Sequence, residues 1–295
     1  TGSAIDGTRI GNPMLLAAGQ DAEFGHHLGE VCAKEGSAVG VNWAFAPVVD
    51  IDYNFHNPIT NVRTYGSDPE TVLNYAKGFV EAVQQNGVAA SIKHFPGDGI
   101  DFRDQHLVTT VNTLLLEEWR STYGKVYSGL IEAGSLSVMI GHIALPVVQK
   151  SEEDAFLPAT LSPVIMQELL REELGFNGVI TSDATPMVGF CAAMERRLAV
   201  PTAIAAGCDI FLFNKDLEED IRFMKEGIEN GILKLERINE AVTRILAMKA
   251  ALKLPEKQAD ALLVPAKEEL AVLQAEQHVQ WATEAADKGI TLVKD

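Results

Sequence analysis

The segment Ser91 to His106 (SIKHFPGDGIDFRDQH) gathers the densest chemistry in the chain. An apolar run ends at Lys93 and His94, then opens into a loop with glycines at 97 and 99. That loop carries Asp98, Asp101, Asp104 and His106. A Lys and an imidazole at a strand end can donate hydrogen bonds to hydroxyl groups. A carboxylate two residues from a His, as in Asp104 and His106, can orient the ring and raise its basicity, which general acid/base work requires. The plain alternative is a solvated acidic loop with a stray His, and a bare D-x-H does not exclude it.

A second constellation is Gly178 to Pro186 (GVITSDATP). A buried strand delivers Asp183 at its C-terminal end. A carboxylate there can attack an anomeric carbon, because an oxocarbenium-like transition state is stabilised by an adjacent negative charge. Equally, Asp183 could cap the next helix. The third is Asn57 to Glu70 (NPITNVRTYGSDPE), where the Arg63 fork suits sugar hydroxyls or an acetamido carbonyl, or else a salt bridge to Asp50 or Asp52. His94, His106, His142 and Asp183 are also a sensible metal-ligand set. However, no H-x-H lies at a strand end and no Lys stands where a bridging group belongs. The expectation is therefore no metal and no cofactor. Neither G-x-G-x-x-G nor G-x-x-x-x-G-K-[ST] occurs, so nucleotide binding has no support.

The elements that must position these residues alternate. Near-continuous apolar runs at Val41–Ile51, Val88–His94, Leu136–His142, Gly178–Ser182 and Asp209–Phe213 read as parallel strands buried on both faces. Helices are predicted over 22–37, 69–86, 115–133, 162–174, 235–252 and about 267–288, with capping signals before Pro69 and Pro163. Strand and helix in alternation mean a parallel sheet. Asp50, Lys93 with His94, His142 and Asp183 each close a strand. That distribution favours a (β/α) barrel, whose site is built from several strand ends, over an open sheet with one crevice. Lys253 to Pro265 is the most linker-like stretch.

Composition sets the bounds. The chain has 295 residues, 47% hydrophobic and 22% charged, enough for a sizeable core. The formal net charge of −17 argues against nucleic acid and anionic membrane as partners. No apolar run is long enough to span a membrane. Three scattered cysteines, Cys32, Cys191 and Cys208, suggest neither a disulfide framework nor a zinc ribbon. A cytoplasmic location is the expectation.

The three segments, in this order, are similar to glycoside hydrolase family 3. KHFPGDG resembles the family's KHFPGHG, and Asp104-Gln105-His106 falls where the β-N-acetylglucosaminidase branch carries its Asp-His acid/base dyad. NVRTYGSDPE resembles the family's R-S-[FY]-G-x-D-P segment, with Arg63 as the matching Arg. GVITSDA resembles the strand with the nucleophilic Asp. The resemblance implies a TIM-type (β/α)8 barrel and a retaining β-glycosidase. Asp183 would be the nucleophile and His106 with Asp104 the acid/base, while Arg63, Lys93 and His94 would bind the sugar, assisted by Asp50 and His142. The implied partner is a carbohydrate substrate, most readily a terminal β-N-acetylglucosaminide. A β-glucosidase or β-xylosidase, a sugar phosphorylase and an inactive carbohydrate-binding relative are the alternatives.

Four departures stand out. Asp98 replaces the second His of KHFPGHG. Ala184 follows Asp183 in place of Asp or Trp. The family's upstream D-x-E-G-G segment is absent, and GITLVKD (Gly289 to Asp295) resembles the start of an αβα sandwich domain. The expected division is an N-terminally incomplete barrel over 1–252, a linker and C-terminal helix over 253–289, and the first residues of a second domain over 290–295. Either that domain or a second copy of the chain would complete the molecule, and the chain by itself is expected to be weakly active or inactive.

Overall fold

The computed structural model describes residues 6–293. Its strands are β1 (Trp43–Ala44), β2 (Ala89–Phe95), β3 (Thr110–Val111), β4 (Ser137–Ile140), β5 (Ile143–Ala144) and β6 (Val179–Ser182). The main sheet is parallel throughout, in the order β1-β2-β4-β6, and a parallel β3–β5 pair stands beside it. Every residue of β4 and β6 is buried, and all of β2 except Lys93. That is why these strands read as unbroken apolar runs rather than alternating ones.

Parallel neighbours need crossover connections, and helices supply them. Pro69–Gln85 links β1 to β2, helical turns over 116–132 link β2 to β4, and Val164–Glu173 links β4 to β6. The first of these starts where the sequence predicts. Pro69 is its first residue, and the Asp68 carboxylate accepts from the Thr71 N–H at 2.8 Å. It buries Val72, Tyr75, Ala76, Phe79, Val80 and Val83, a stripe at three- and four-residue spacing. Glu23–Ala38 crosses it so closely that a Cβ on Gly25 would lie 2.3 Å from the Tyr75 carbonyl oxygen.

Four sequence expectations change. The run Val41–Ile51 holds only a two-residue strand, yet its backbone stays zipped to β2 through bonds from Ala89 to Asn42, Ser91 to Ala46 and Lys93 to Pro47. Asp209–Phe213 contributes a single bridge, Ile210 to Thr181, before Phe213 turns to positive φ. Arg196–Ala206 and Leu217–Glu229 are helices that the periodicity reading leaves out. The first contains Pro201, and the second starts on the Asp216 cap. Finally, 267–288 is two pieces, Lys267–Val272 and Glu276–Lys288. Gln274 takes φ +53 and gives its N–H to the buried Glu35 carboxylate, which also binds Thr8 and His278. That tertiary contact overrides helix propensity between the two pieces. The stretch 253–265 is not featureless either, since Leu254–Ala259 is helical. Residues 1–5 and 294–295 lie outside the described residues, as do the ends of the expected first and last segments.

Among the described residues no helix is long and apolar enough to cross a membrane.

Candidate active site

The C-terminal ends of β2, β4 and β6 converge on one polar neighbourhood. β2 delivers Lys93 and His94, then leaves the sheet at Pro96. Gly97 and Gly99 follow with φ of +119 and +110, and a Cβ on Gly99 would sit 1.9 Å from the Ile51 carbonyl oxygen. Glycine is required there on both counts. The helical connection over 116–132 contains a wide π turn at Arg120–Gly124. Trp119, next to that turn, gives its indole N–H to the Pro96 carbonyl at 2.8 Å, and Tyr123, within it, gives its hydroxyl to the Asp98 carbonyl at 2.6 Å. The loop is thereby seated from below.

Asp50 is fully buried. Its carboxylate accepts from the His94 N–H at 3.0 Å, the Asp98 N–H at 2.9 Å and the His94 ring Nδ1 at 2.7 Å. A carboxylate only accepts, so Nδ1 carries the proton and Nε2 faces the other way, 3.9 Å from Asp183 Oδ2. Burial pushes the Asp50 carboxyl up, but His94 and the N–H donors outweigh it and hold it below the ordinary value.

Asp183 follows β6 and is largely buried. Its N–H donates to the Ile140 carbonyl, which fixes it between β4 and β6, and Oδ1 accepts from the Ala184 N–H at 2.7 Å. It does not cap the following helix Val188–Cys191, which starts without a side-chain cap. Burial again raises the carboxyl, while His94, the Ala184 N–H and Lys93 outweigh it and hold it below the ordinary value, so the group is ionised at neutral pH. Lys93 is pushed down by burial and by Arg63, against the pull of Asp183 and Asp50. Arg63 is exposed, and its hydrogen bond among the described residues goes to the Ile59 carbonyl at 3.2 Å. It makes no salt bridge to Asp50 or to Asp52, whose carboxylate accepts from Thr60. With Lys93 it lines a cavity of about 270 Å³ that Phe45, Pro47 and Tyr65 also wall.

Asp104 and His106 meet as the spacing suggested. His106 Nδ1 lies 2.6 Å from Asp104 Oδ1, and the ring is half exposed, with Nε2 making no hydrogen bond among the described residues. The loop rests against the segment after Asp183, where Val188 N–H donates to the His106 carbonyl at 2.9 Å.

Two expected sugar-binding residues take a different place. Asp50 has both oxygens occupied by the protein and no exposed surface. His142 is equally buried, with Nδ1 3.0 Å from the Thr160 hydroxyl and Nε2 3.0 Å from the Ala184 carbonyl. A carbonyl only accepts, so Nε2 holds the proton and Nδ1 accepts, and burial keeps the ring neutral. The polar atoms of both are spent within the protein, on His94, Asp98, Thr160 and the Ala184 carbonyl. Asp50→Ala should leave one imidazole N–H and two backbone N–H groups unpaired in the interior. Leaving a buried donor without an acceptor costs roughly 1–3 kcal/mol each, so a large fall in the urea midpoint is expected. An unchanged midpoint would show that Asp50 anchors nothing.

Sequence reading passed over Asn57, Gln105 and Tyr123. Asn57 Nδ2 donates to Asp98 Oδ1 at 2.7 Å, and Gln105 Nε2 to Asp98 Oδ2 at 3.1 Å. The one signal available was Asp98 itself, an unusual residue in a glycine-rich turn. Burial, then the charge of Asp50, pushes its carboxyl up to about 6. The folded value lies above the ordinary 3.8, so folding favours the protonated form. That contribution is complete below pH about 4 and is lost as pH rises through about 6. Asp98→Asn has no proton to lose, and should flatten the stability profile in that window. Urea midpoints from pH 4 to 7 check this, and parallel profiles for parent and variant would rule it out.

Among the described residues, no group of three or more His, Cys, Asp or Glu side chains is disposed to hold a metal ion.

Residues 2–248 match the family described as glycosyl hydrolase family 3 N terminal domain. The chain belongs to glycoside hydrolase family 3. Its parallel strands and crossover helices are those of the family's TIM-type barrel, and the residues described above lie at the strand ends where such barrels carry their sites. A β-N-acetylglucosaminidase/β-glucosidase of Cellulomonas fimi is 46% identical over 295 residues, covering 98% of this chain and 52% of that protein. A β-hexosaminidase of Hydrogenovibrio crunogenus is 34% identical, covering 73% of this chain and 61% of that protein. Among solved structures, β-glucoside phosphorylase BglX bound to 2FGlc superposes with a TM-score of 0.95 at 48% identity, over 99% of this chain and 52% of that one. A family 3 β-N-acetylglucosaminidase from Paenibacillus sp. str. FPU-7 superposes with a TM-score of 0.82 at 29% identity, over 95% of this chain and 52% of that one. The chain spans about half the length of the C. fimi relative and about three fifths of the H. crunogenus one.

Proposed function

We propose that this chain carries the catalytic machinery of a retaining β-glycosidase acting on terminal β-linked sugars, β-N-acetylglucosaminides first. The observation that carries the reading is the ionised Asp183 carboxylate at a strand end, faced at 3.9 Å by an imidazole that a buried Asp50 holds in one orientation. In the first step an Asp183 oxygen attacks the anomeric carbon. The bond to the leaving oxygen breaks as His106 Nε2 delivers its proton there, and a glycosyl ester forms. In the second step His106 Nε2 takes a proton from water, the hydroxide adds to the anomeric carbon, and Asp183 leaves. Asp104 steadies the imidazolium. Arg63, Lys93 and His94 hold sugar hydroxyls, and the Arg63 fork also suits an acetamido carbonyl. Relative kcat/KM on aryl N-acetylglucosaminide and aryl glucoside tests the sugar. A strong preference for the glucoside would move the β-glucosidase reading ahead.

A specific observation favours a second reading, in which phosphate replaces water as the acceptor: the 48% identity to a β-glucoside phosphorylase. A neutral imidazole base does not repel an incoming phosphate dianion as a carboxylate would. Turnover that rises with inorganic phosphate and yields a sugar 1-phosphate selects this reading. The expected second domain or homodimer, the domain boundaries and the cytoplasmic location are part of the same proposal, and the test of all of them is the intact protein in its own cell.

A further inference from the structure

We infer that Gln105 is a positioning residue for the acid/base pair, acting through a hydrogen-bonded bridge between Asp98 and His142. The inference rests on the reading of His106 as acid/base. Gln105 separates Asp104 from His106 in sequence, yet it is fully buried while His106 is half exposed. Its amide is used at both ends. Nε2 donates to Asp98 Oδ2 at 3.1 Å, and Oε1 accepts from the His142 N–H at 3.1 Å. One end is therefore tied to the loop leaving β2 and the other to the end of β4. A buried amide satisfied at both ends has one orientation, because flipping it would oppose donor to donor and acceptor to acceptor.

The neighbouring residues must move with it. Leu107 and Val108 both give their N–H groups to the Asp104 carbonyl, so 104–108 is a single turn. That turn lies flat on the helix after Asp183. A Cβ on Gly189 would come within 2.6 Å of the Gln105 carbonyl oxygen, and Thr109 gives its hydroxyl to the Gly189 carbonyl at 2.9 Å. Releasing Gln105 therefore removes the side-chain tie that fixes this turn to β2 and β4, and leaves it held on the Gly189 side alone. Asp98 itself is held by Asn57, by the Gly99 N–H and through its own N–H to Asp50, so the anchor is stiffer than the loop it restrains.

The test measures kcat/KM on a glycoside with a poor leaving group, and on a nitrophenyl glycoside whose departure needs little protonation. For Gln105→Ala a loss on the order of 10-fold is expected on the poor leaving group, a fraction of the ~10²- to 10⁴-fold that full acid/base help supplies. The first step on the nitrophenyl substrate should change less than about 2-fold. The alkaline limb of the kcat/KM profile, which reports loss of the proton that the acid must deliver, should also move, which a purely structural role would not cause. Gln105→Glu sets a second carboxylate against Asp98 and should lose more. Adding Asp98→Asn supplies the missing donor, so Gln105→Glu with Asp98→Asn should recover most of that loss, and this pair decides the matter even where Gln105→Ala does not fold. Equal losses on both substrates, or no recovery in the double variant, overturn the bridge. His106→Ala run in parallel separates the two ideas. If it shows leaving-group dependence and the Gln105 variants do not, only the bridge falls. If it shows none, the acid/base assignment falls first.

Discussion

Asp183→Ala is expected to abolish turnover, with a loss on the order of 10⁴- to 10⁶-fold, the range seen when a covalent nucleophile or its partner is removed. The physical reason lies in what the site is arranged to hold. His94, the Ala184 N–H and Lys93 surround this carboxylate and hold it ionised against burial. The measurement is twofold. A 2-fluoro sugar with a good leaving group should form a stable ester, and peptide mapping should find it on Asp183. The alanine variant should take no label. A label on another carboxylate, or residual turnover above about 1% of the parent, would remove Asp183 from the mechanism. In that case the approach of His94 to Asp183 at 3.9 Å would be structural.

The second large effect concerns His106, and its signature is selectivity rather than size. Protonating a leaving oxygen matters most when that oxygen is a poor leaving group. His106→Ala should therefore cut kcat/KM by roughly 10²- to 10⁴-fold on natural glycosides and leave the first step with a nitrophenyl glycoside nearly intact. Asp104→Ala acts in the same direction and less severely, since it removes the orienting partner at 2.6 Å and leaves the imidazole in place. The double variant should be little worse than His106→Ala, because the two act as a unit. Equal losses on good and poor leaving groups would show that His106 is no general acid. The proton would then come from elsewhere in the intact protein, as the β-glucosidase reading requires.

The amino-acid sequence by itself determined the fold class and which polar residues close the strands. Parallel strands buried on both faces leave a one-dimensional trace, the apolar runs that became β2, β4 and β6, and each run ends in a polar residue. Local chemistry is also legible. The Asp68–Pro69 cap forms as expected, and Asp104 and His106, two residues apart, meet within the reach of their own backbone. Contacts between distant segments decided the rest. Asp50 and His142 end their strands as sugar-binding residues would, but only the packed structure shows their polar atoms spent on His94, Asp98, Thr160 and Ala184. Gln105 looked like a spacer because its partners lie 7 and 37 residues away. A side chain's type states which hydrogen bonds it can make. Which of them it does make depends on what the fold buries beside it, since a buried polar group must find a partner there and a solvated one need not.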